Sequence, residues 1–232
     1  MQVKLIGQRV LGLILLCGVI FLITRLSLFS YFPINTVKIY GLNNTSHNEI
    51  KKLLINDVHN DFFHIDVGVI KQKILQLPWA EQVIVQRHWP NEIDVTVIER
   101  KPFALWNKHQ LLSTRGDVFT PSSLANYTLL PHFVGPVGMQ VLMLAYYHEI
   151  NRLLLPIHLQ IQQLELKPYA MWRVILNNGI VVHAGHQDAV QRFTRFVNVY
   201  SKIIADKAND VEYVDLRYSN GIAISWKKRT KV

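Results

Sequence analysis

The sequence contains a single cysteine, Cys17, among its 232 residues. One cysteine excludes an intramolecular disulfide, and it excludes a zinc site built from several thiolates. Because Cys17 lies inside an apolar N-terminal run, it is also a poor candidate for the nucleophile of an enzyme. The cysteine content therefore removes disulfide-stabilised folds and thiolate metal centres from consideration.

Acidic residues are also scarce, with 16 against 25 lysines and arginines, for a formal net charge of +9. No acidic residue precedes Glu49. The chain ends in a basic tail over residues 227–232, which contains four cationic side chains. Such a tail is able to contact anionic lipid, nucleic acid or an acidic partner, or it is a solvated terminus. Scattered basic residues elsewhere do not favour nucleic-acid binding.

The motifs of the common hydrolases and nucleotide-binding enzymes are absent from the sequence. There is no Gly-x-Ser-x-Gly, Ser-x-x-Lys, His-Glu-x-x-His or glycine-rich phosphate loop. Ten histidines suggest a metal site, and His183 and His186 form the best local pair, but no third ligand is evident. We therefore expect these two residues, like His59 and His64, to be polar surface side chains. No metal and no cofactor is predicted.

Four acidic residues are close together near the C-terminus: Asp206, Asp210, Glu212 and Asp215. Paired carboxylates are typical of glycoside hydrolases. The odd spacing of Glu212 and Asp215, however, places them on opposite faces of a strand. The sequence therefore predicts that the protein is not an enzyme.

Residues 10–24 contain no charged side chain and predict a membrane anchor. Fifteen helical residues extend about 22 Å, which is shorter than a hydrocarbon core of roughly 30 Å. Extension of the helix over residues 5–28 removes this shortfall, with Arg9 and Arg25 at opposite interfaces. A cleaved signal peptide is the alternative, but residues 1–32 contain no alanine for the usual cleavage site. We predict a transmembrane segment over residues 10–32, with its core at about 10–28, after a cytoplasmic tail of residues 1–9.

Residues 34–100 show the pattern of a small domain with the order β-α-α-β-β. Ser46 and Glu49 form a capping box before the first helix, and Asp66 is placed to cap the second. Alternating apolar residues then predict two strands around a turn at residues 89–91. We expect both helices to cover one face of a three-stranded sheet. Arg87 and Glu99 are expected to pair across neighbouring strands.

Three tryptophans in or beside this region, Trp79, Trp89 and Trp106, are expected to pack in the core or at turns.

From residue 103 the pattern predicts a second, mixed sheet with helices on it. Strands are expected on both sides of residues 115–117, followed by an irregular segment at 130–136 and a helix over 140–155. Further strands are expected at 157–166, 172–176 and 180–183, the last two joined by a type I′ turn at Asn178 and Gly179. Asp188 is expected to cap a helix over 189–205. Two final strands, 211–218 and 222–226, flank a turn at 219–221.

Several motifs, taken together and in order, resemble the FtsQ/DivIB family of bacterial cell-division proteins. They are Arg87-x-Trp-Pro90, the sequence Val97-x-Glu-Arg-x-Pro-x-Ala-x-Trp106, Leu130-Pro-x-Phe-x-Gly-Pro136 and the stretch from Tyr213 to Trp226. The resemblance implies a POTRA domain at residues 34–102 and an FtsQ-type β domain at 103–226, before the basic tail. The implied fold class is α+β, with one transmembrane helix ahead of these domains.

The resemblance also implies a function. Members of this family are inner-membrane division proteins with most of the chain in the periplasm, and they bind the exported segments of FtsB and FtsL. Four residues match the partner-contact positions of the family: Tyr218, Asn220, Gly221 and Trp226, with Asn220 standing where serine is common. Docking of a partner strand on the last strands is the implied mode. The alternative is another exported POTRA protein that assists transport or assembly.

Overall fold

A computed structural model describes the chain over residues 12–22, 33–55, 62–63, 65–185 and 188–227. The chain divides into two units, Met1–Glu99 and Arg100–Val232. Three of the histidines discussed above, His59, His64 and His186, lie outside the described residues.

Apolar residues of the N-terminal run form a helix, α1, over residues 12–22. Its large side chains are exposed, with Leu13 64 % and Phe21 63 % accessible. None of the described helices combines the length and the hydropathy that crossing a membrane requires. The predicted anchor covers residues 10–32, of which 10–11 and 23–32 lie outside the described part of the chain.

The first unit has the predicted order β-α-α-β-β. Its elements are β1 (Thr36–Tyr40), α2 (His47–Leu54), α3 (Val67–Leu75), β2 (Ala80–His88) and β3 (Glu92–Glu99). The strand order in the sheet is β1-β3-β2. β3 runs parallel to β1 and antiparallel to β2. The central strand is therefore the last one in sequence, because β1 and β2 both hydrogen-bond to it.

One face of this sheet is buried beneath the two helices. Alternate residues of β3, Ile93, Val95 and Val97, are at most 1 % exposed and pack in one cluster with Ile50 and Ile74. The period of two along the strand matches the apolar pattern of the sequence. Burial of these side chains supplies most of the stabilisation of such a small domain.

Side-chain caps fix the starts of both helices. The Ser46 hydroxyl accepts a hydrogen bond from the Asn48 amide, and Asp66 accepts from the amides of Gly68 and Val69. These caps satisfy amides that have no partner within the helix. The predicted caps by Ser46 and Asp66 are thus confirmed, but among the described residues the Glu49 side chain does not complete the predicted capping box.

One prediction for this unit is wrong. Arg87 and Glu99 do not pair, because Arg87 lies opposite Ile93 in the strand register, whereas Glu99 lies opposite Ala80. The Arg87 guanidinium instead donates to the Ile65 carbonyl. Trp89 lies in the turn between β2 and β3, where 71 % of it is exposed.

The described part of the second unit contains nine strands and two long helices. Its strands are β4 (Pro102–Trp106), β5 (Gln110–Ser113), β6 (Val118–Phe119), β7 (His132–Val134), β8 (Ile161–Lys167), β9 (Met171–Leu176), β10 (Val181–Ala184), β11 (Val211–Asp215) and β12 (Ala223–Trp226). Its helices are α4 (Gln140–Leu154) and α5 (Ala189–Val199). All nine strands form one mixed sheet in the order β12-β11-β10-β9-β8-β7-β4-β5-β6.

The segment at 130–136, predicted to be irregular, contains β7. This strand runs parallel to β4 on one side and to β8 on the other. Its central residue, Phe133, is fully buried. The prediction failed because a strand of three residues between Pro131 and Gly135 has no detectable period, and its hydrogen bonds all come from distant strands. β4 was not predicted either.

The hairpin between β9 and β10 has a three-residue loop rather than the predicted type I′ turn. The Gly179 amide donates to the Leu176 carbonyl, and the Leu176 amide donates to the Ile180 carbonyl. Only Gly179 has a positive φ, of 84°, whereas a type I′ turn requires a positive φ at Asn178 as well. A tight turn that ends in a left-handed glycine gives this geometry.

Asp188 does not cap α5 with its side chain, and it has a left-handed φ of 54°. The helix itself ends at Val199 and continues as a π-helical turn and then a 3₁₀ turn to Asp210. β8 also begins later than predicted, since residues 155–157 form a 3₁₀ turn. β11 ends at Asp215, three residues before the predicted end.

The core of the second unit lies between the sheet and the two helices. Its largest fully buried side chains include Trp106, Phe133, Phe193 and Phe196. Tyr146 of α4 stacks on Trp172 of β9, with ring centroids 3.9 Å apart. The helices therefore cover one face of the sheet, and its two ends remain as edges.

Candidate functional site

The last strand, β12, forms one edge of the nine-stranded sheet. It pairs antiparallel with β11, so that Ala223 lies opposite Asp215 and Ile224 opposite Val214. Within the part of the chain that the structure describes, no strand lies on the other side of β12. An edge strand presents backbone N–H and C=O groups that the sheet does not use, so a further strand is able to add to it.

Apolar contacts on one face hold β12 in place. Ile222 and Ile224 pack against the core of the unit, while Ala223 is exposed on the opposite side. Trp226 lies two positions after Ile224 and hence on the same face of the strand. Its side chain is 43 % exposed at the end of the strand. The edge therefore ends in a large, partly uncovered aromatic ring.

Tyr218 lies in the connection between β11 and β12, and 60 % of it is exposed. Ser219 and Asn220 follow it on the surface. Gly221 does not have a positive φ, and a Cβ added there would meet no atom within 4 Å. No neighbour within the described chain thus requires glycine at this position.

The structure brings the four predicted site residues into one stretch. Tyr218, Asn220 and Gly221 lie before β12, and Trp226 ends it. Tyr218 and Trp226 are both exposed and lie outside the buried core. Residues 218–226, which comprise the exposed connection and strand β12 with its open edge, are called the β12 edge below.

An ion pair fixes the chain where it leaves β11. The Asp215 carboxylate accepts two parallel hydrogen bonds from the Arg217 guanidinium, at 2.9 Å from Nε to Oδ1 and 2.6 Å from Nη2 to Oδ2. The Arg217 amide also donates to Oδ1. The hydrogen bonds from Arg217 hold the pKa of Asp215 below its usual range. Bidentate pairs of this kind combine strength with a defined orientation.

Beside this pair, the open face of the sheet carries basic side chains around a small cavity of about 280 Å³. Arg173, His183 and Arg217 line it together with Tyr213. Partial burial lowers the pKa of His183, and although Asp215 opposes this effect, the neighbouring arginines add to it. The positive charge of the arginines around this imidazole disfavours a bound metal cation.

Two of the acidic residues near the C-terminus, Glu212 and Asp215, have different surroundings. Glu212 accepts a hydrogen bond from the Ser225 hydroxyl, whereas Asp215 is only 5 % exposed and bonded to Arg217. Among the described residues, no group of three or more histidine, cysteine or acidic side chains is placed to hold a metal ion.

Basic charge continues past the end of β12. Lys227 is exposed, and its ammonium group donates to the Asn209 carbonyl at 2.8 Å. Its amide donates to the Asp210 carbonyl at 2.7 Å, which extends the pairing of the last strand by one residue. Arg217 is 54 % exposed in its side chain. The β12 edge therefore lies between two cationic residues.

Two arginines of α5 that the sequence did not single out as site residues also contact this region. Arg192 donates to the Leu216 carbonyl at 2.7 Å, and Arg195 donates to the Gly221 carbonyl at 3.4 Å. Their spacing of three residues places both on one helical face. That spacing was visible in the sequence, but the carbonyls that they reach depend on the sheet topology.

Both units of the chain are similar to domains of known proteins. Residues 32–100 match the model of the FtsQ-type POTRA domain, and residues 104–217 match the C-terminal domain of the cell-division proteins FtsQ and DivIB. The cell division protein FtsQ of Coxiella burnetii is 35 % identical over 179 residues, which cover 77 % of this chain and 74 % of that protein. The chain belongs to the FtsQ/DivIB family.

Other FtsQ proteins agree over most of their length. That of Shewanella oneidensis is 34 % identical, over 85 % of this chain and 75 % of its own. That of Bordetella pertussis is 29 % identical, over 91 % of this chain and 84 % of its own. The first unit is thus a POTRA domain and the second an FtsQ/DivIB C-terminal domain. The match of the C-terminal domain ends at residue 217, immediately before Tyr218.

Proposed function

We propose that this FtsQ-family chain is a scaffold of the division machinery that binds the periplasmic segments of FtsB and FtsL at the β12 edge. A segment of FtsB adds to β12 as a further strand, and it places side chains against Tyr218 and Trp226. The open edge of β12 carries this proposal, because strand addition requires unpaired backbone groups beside exposed aromatic anchors.

The details of the edge suit such a partner. Asn220 and Gly221 lie directly before the strand, and the absence of a Cβ at Gly221 leaves room for close approach of a second backbone. Arg217 and Lys227 favour a partner segment that carries acidic side chains. The function is thus recruitment by binding, with no reaction catalysed and no cofactor.

The proposed location is the bacterial inner membrane at the division septum, with the N-terminus in the cytoplasm and both domains in the periplasm. Support comes from the uncharged run at residues 10–24 and from the exposed apolar side chains of α1. A C-terminal fusion to alkaline phosphatase tests this arrangement, since that enzyme is active only after export. An inactive fusion that accumulates intact would contradict it.

The alternative of a transport or assembly accessory is less well supported. Such a protein shares a POTRA domain, but the second domain of this chain matches the FtsQ/DivIB C-terminal domain. The POTRA domain is proposed to bind other division proteins.

The direct test is a calorimetric titration of the full-length chain, purified in detergent, with the periplasmic segment of FtsB from the same organism. We expect binding with a micromolar or lower dissociation constant. Replacement of an interface hot spot by alanine costs about 2 kcal/mol or more. Trp226→Ala is therefore expected to weaken binding by about thirtyfold or more, with an unchanged circular dichroism spectrum.

Trp89→Ala is the matched control, because Trp89 is an exposed tryptophan of the other unit. We expect this variant to bind FtsB as the wild type does. Affinity retained within a few-fold by Trp226→Ala would remove Trp226 from the site. A folded wild-type chain that does not bind FtsB would overturn the proposed function.

A further inference from the structure

Two arginines of α5 contact both ends of the connection that carries Tyr218. The Arg192 Nη1 atom lies 2.7 Å from the Leu216 carbonyl oxygen, and the Arg195 Nη1 atom lies 3.4 Å from that of Gly221. Leu216 precedes the exposed residues 217–220, and Gly221 follows them. The two guanidinium groups therefore bracket the exposed segment.

Arg192 contacts a residue, Leu216, whose position the fold already fixes. Leu216 is 1 % exposed, and its amide donates to the His183 carbonyl of β10 at 2.8 Å. Arg192 completes this anchor by bonding the carbonyl of the same residue. It lies on the helix turn that also places Phe193, which is fully buried, so the position of its backbone is set by the core.

The second contact lies where no strand pairing is available. Gly221 comes two residues before β12 begins, and its carbonyl accepts from the longer Arg195 bond. A polar cavity of about 420 Å³ separates α5 from the exposed residues and is lined by Arg192, Arg195, Ser219 and Asn220. The arginines thus span a gap that apolar packing does not fill.

We infer that Arg192 and Arg195 are positioning residues of the β12 edge, an inference that rests on the function proposed above. They order residues 216–221 before the partner arrives, so that Tyr218 and the start of β12 are already in place for strand addition. A connection that is ordered in advance avoids the entropy cost of ordering it on binding. The arginines themselves do not contact the partner.

The test uses the full-length chain with Arg192→Gln and Arg195→Gln, titrated with the periplasmic segment of FtsB. Arg152→Gln is the control, since Arg152 is an exposed arginine on α4. We expect each α5 variant to bind about three- to tenfold more weakly, which corresponds to the ordering of one or two side chains. The control is expected to bind as the wild type does.

A second readout separates positioning from general destabilisation. Amide hydrogen exchange of the free variants is expected to accelerate at residues 216–222 while α4 and β9 keep their protection. Arg195→Lys retains a donor for the single Gly221 carbonyl, so it is expected to restore most of the affinity. Should Arg192→Gln fail to fold, Arg195→Gln, which removes the longer bond, decides the question.

The outcomes separate the two proposals. Wild-type binding together with unchanged affinity and exchange in both glutamine variants would overturn the positioning role and leave the proposed function intact. Faster exchange throughout the unit would assign the arginines to general stability and also overturn it. A folded wild-type chain that does not bind FtsB would overturn the proposed function, and the positioning role with it.

Discussion

The carboxylate of Glu99 binds Asn44, which lies 55 residues earlier in the chain, through both the amide and the side chain of that residue. The Asn44 amide donates at 2.9 Å and its Nδ2 atom at 3.0 Å, both to Oε2. The Thr45 amide donates to Oε1 at 2.8 Å. Partial burial alone would raise the pKa of Glu99, but the hydrogen bonds from Asn44 and Thr45 outweigh it and lower the pKa. One side chain at the end of β3 thus holds the loop that leads into α2.

Glu99→Gln is expected to lower the free energy of unfolding by about 0.5–1.5 kcal/mol, because the Asn44 and Thr45 amides lose a charged acceptor. Urea denaturation measures this loss. Arg87→Ala removes a separate bond, to the Ile65 carbonyl. In the double variant the two losses of unfolding free energy are expected to be additive within about 0.5 kcal/mol. A larger coupling energy would show that Arg87 and Glu99 interact, in contrast to the structure, which does not pair them.

The ion pair between Asp215 and Arg217 predicts a pH dependence. The pKa of Asp215 is held below its ordinary value of 3.8 in the folded chain. Its contribution to stability is therefore fully present above pH 3.8 and is lost as the pH falls through the lower folded value. Asp215→Asn is expected to cost about 1–3 kcal/mol at pH 7, since the buried carboxylate loses its charge and one acceptor.

Urea denaturation of both proteins at pH 7, 5 and 3 measures this effect. The difference between wild type and Asp215→Asn should be at least as large at pH 5 as at pH 7, because Asp215 also favours the charged form of His183, and it should be smaller at pH 3. A difference that stays constant down to pH 3 would show that the charge of Asp215 is not the stabilising feature.

Two glycines with similar backbone angles predict very different costs on substitution. Gly41 has a φ of 83°, and an added Cβ would lie 2.1 Å from the Val97 carbonyl oxygen of β3. Gly138 has a φ of 91°, with no atom within 4 Å of an added Cβ. Gly138→Ala is expected to cost about 1–2 kcal/mol, the penalty for a left-handed residue with a side chain.

Gly41→Ala should cost clearly more, because a backbone carbonyl within a paired strand has no room to move aside. Thermal unfolding followed by circular dichroism compares the two variants. Equal losses would mean that the β1–β3 pairing shifts easily to admit the methyl group.

The parts of the fold that the sequence predicted are those that depend on local chemistry. Ser46 and Asp66 were recognised as caps because the acceptor and the amides that it binds are neighbours in the chain. The alternation of Ile93, Val95 and Val97 predicted the buried face of β3 in the same way. Both signals act within a few residues, so a sequence displays them directly.

The parts that failed depend on distant neighbours. β7 is a strand only because β4 and β8 lie on either side of it. Asp188 has the residue type of a cap but adopts a left-handed conformation, without a side-chain bond to α5. In the candidate site, Tyr218 and Trp226 came from the family resemblance, whereas Arg192 and Arg195 became visible only when the structure placed α5 against the last connection.

The exposed ring of Tyr218 leads to the final prediction, which concerns the nature of its proposed contact with FtsB. Tyr218 is 60 % exposed, so its side chain lies outside the core of the free chain. An aromatic side chain at an interface contributes mainly through the apolar area of its ring. Tyr218→Ala is therefore expected to weaken FtsB binding about tenfold or more, whereas Tyr218→Phe stays within about threefold.

The same calorimetric titration measures both variants, with Tyr40→Ala as the control because Tyr40 is a half-exposed tyrosine of the POTRA domain. If Tyr218→Phe binds as weakly as Tyr218→Ala, the phenolic hydroxyl carries the contact and the partner offers it a hydrogen-bonding group. If Tyr218→Ala binds as the wild type does, the connection before β12 lies outside the interface. Strand addition would then rest on β12 and Trp226 alone.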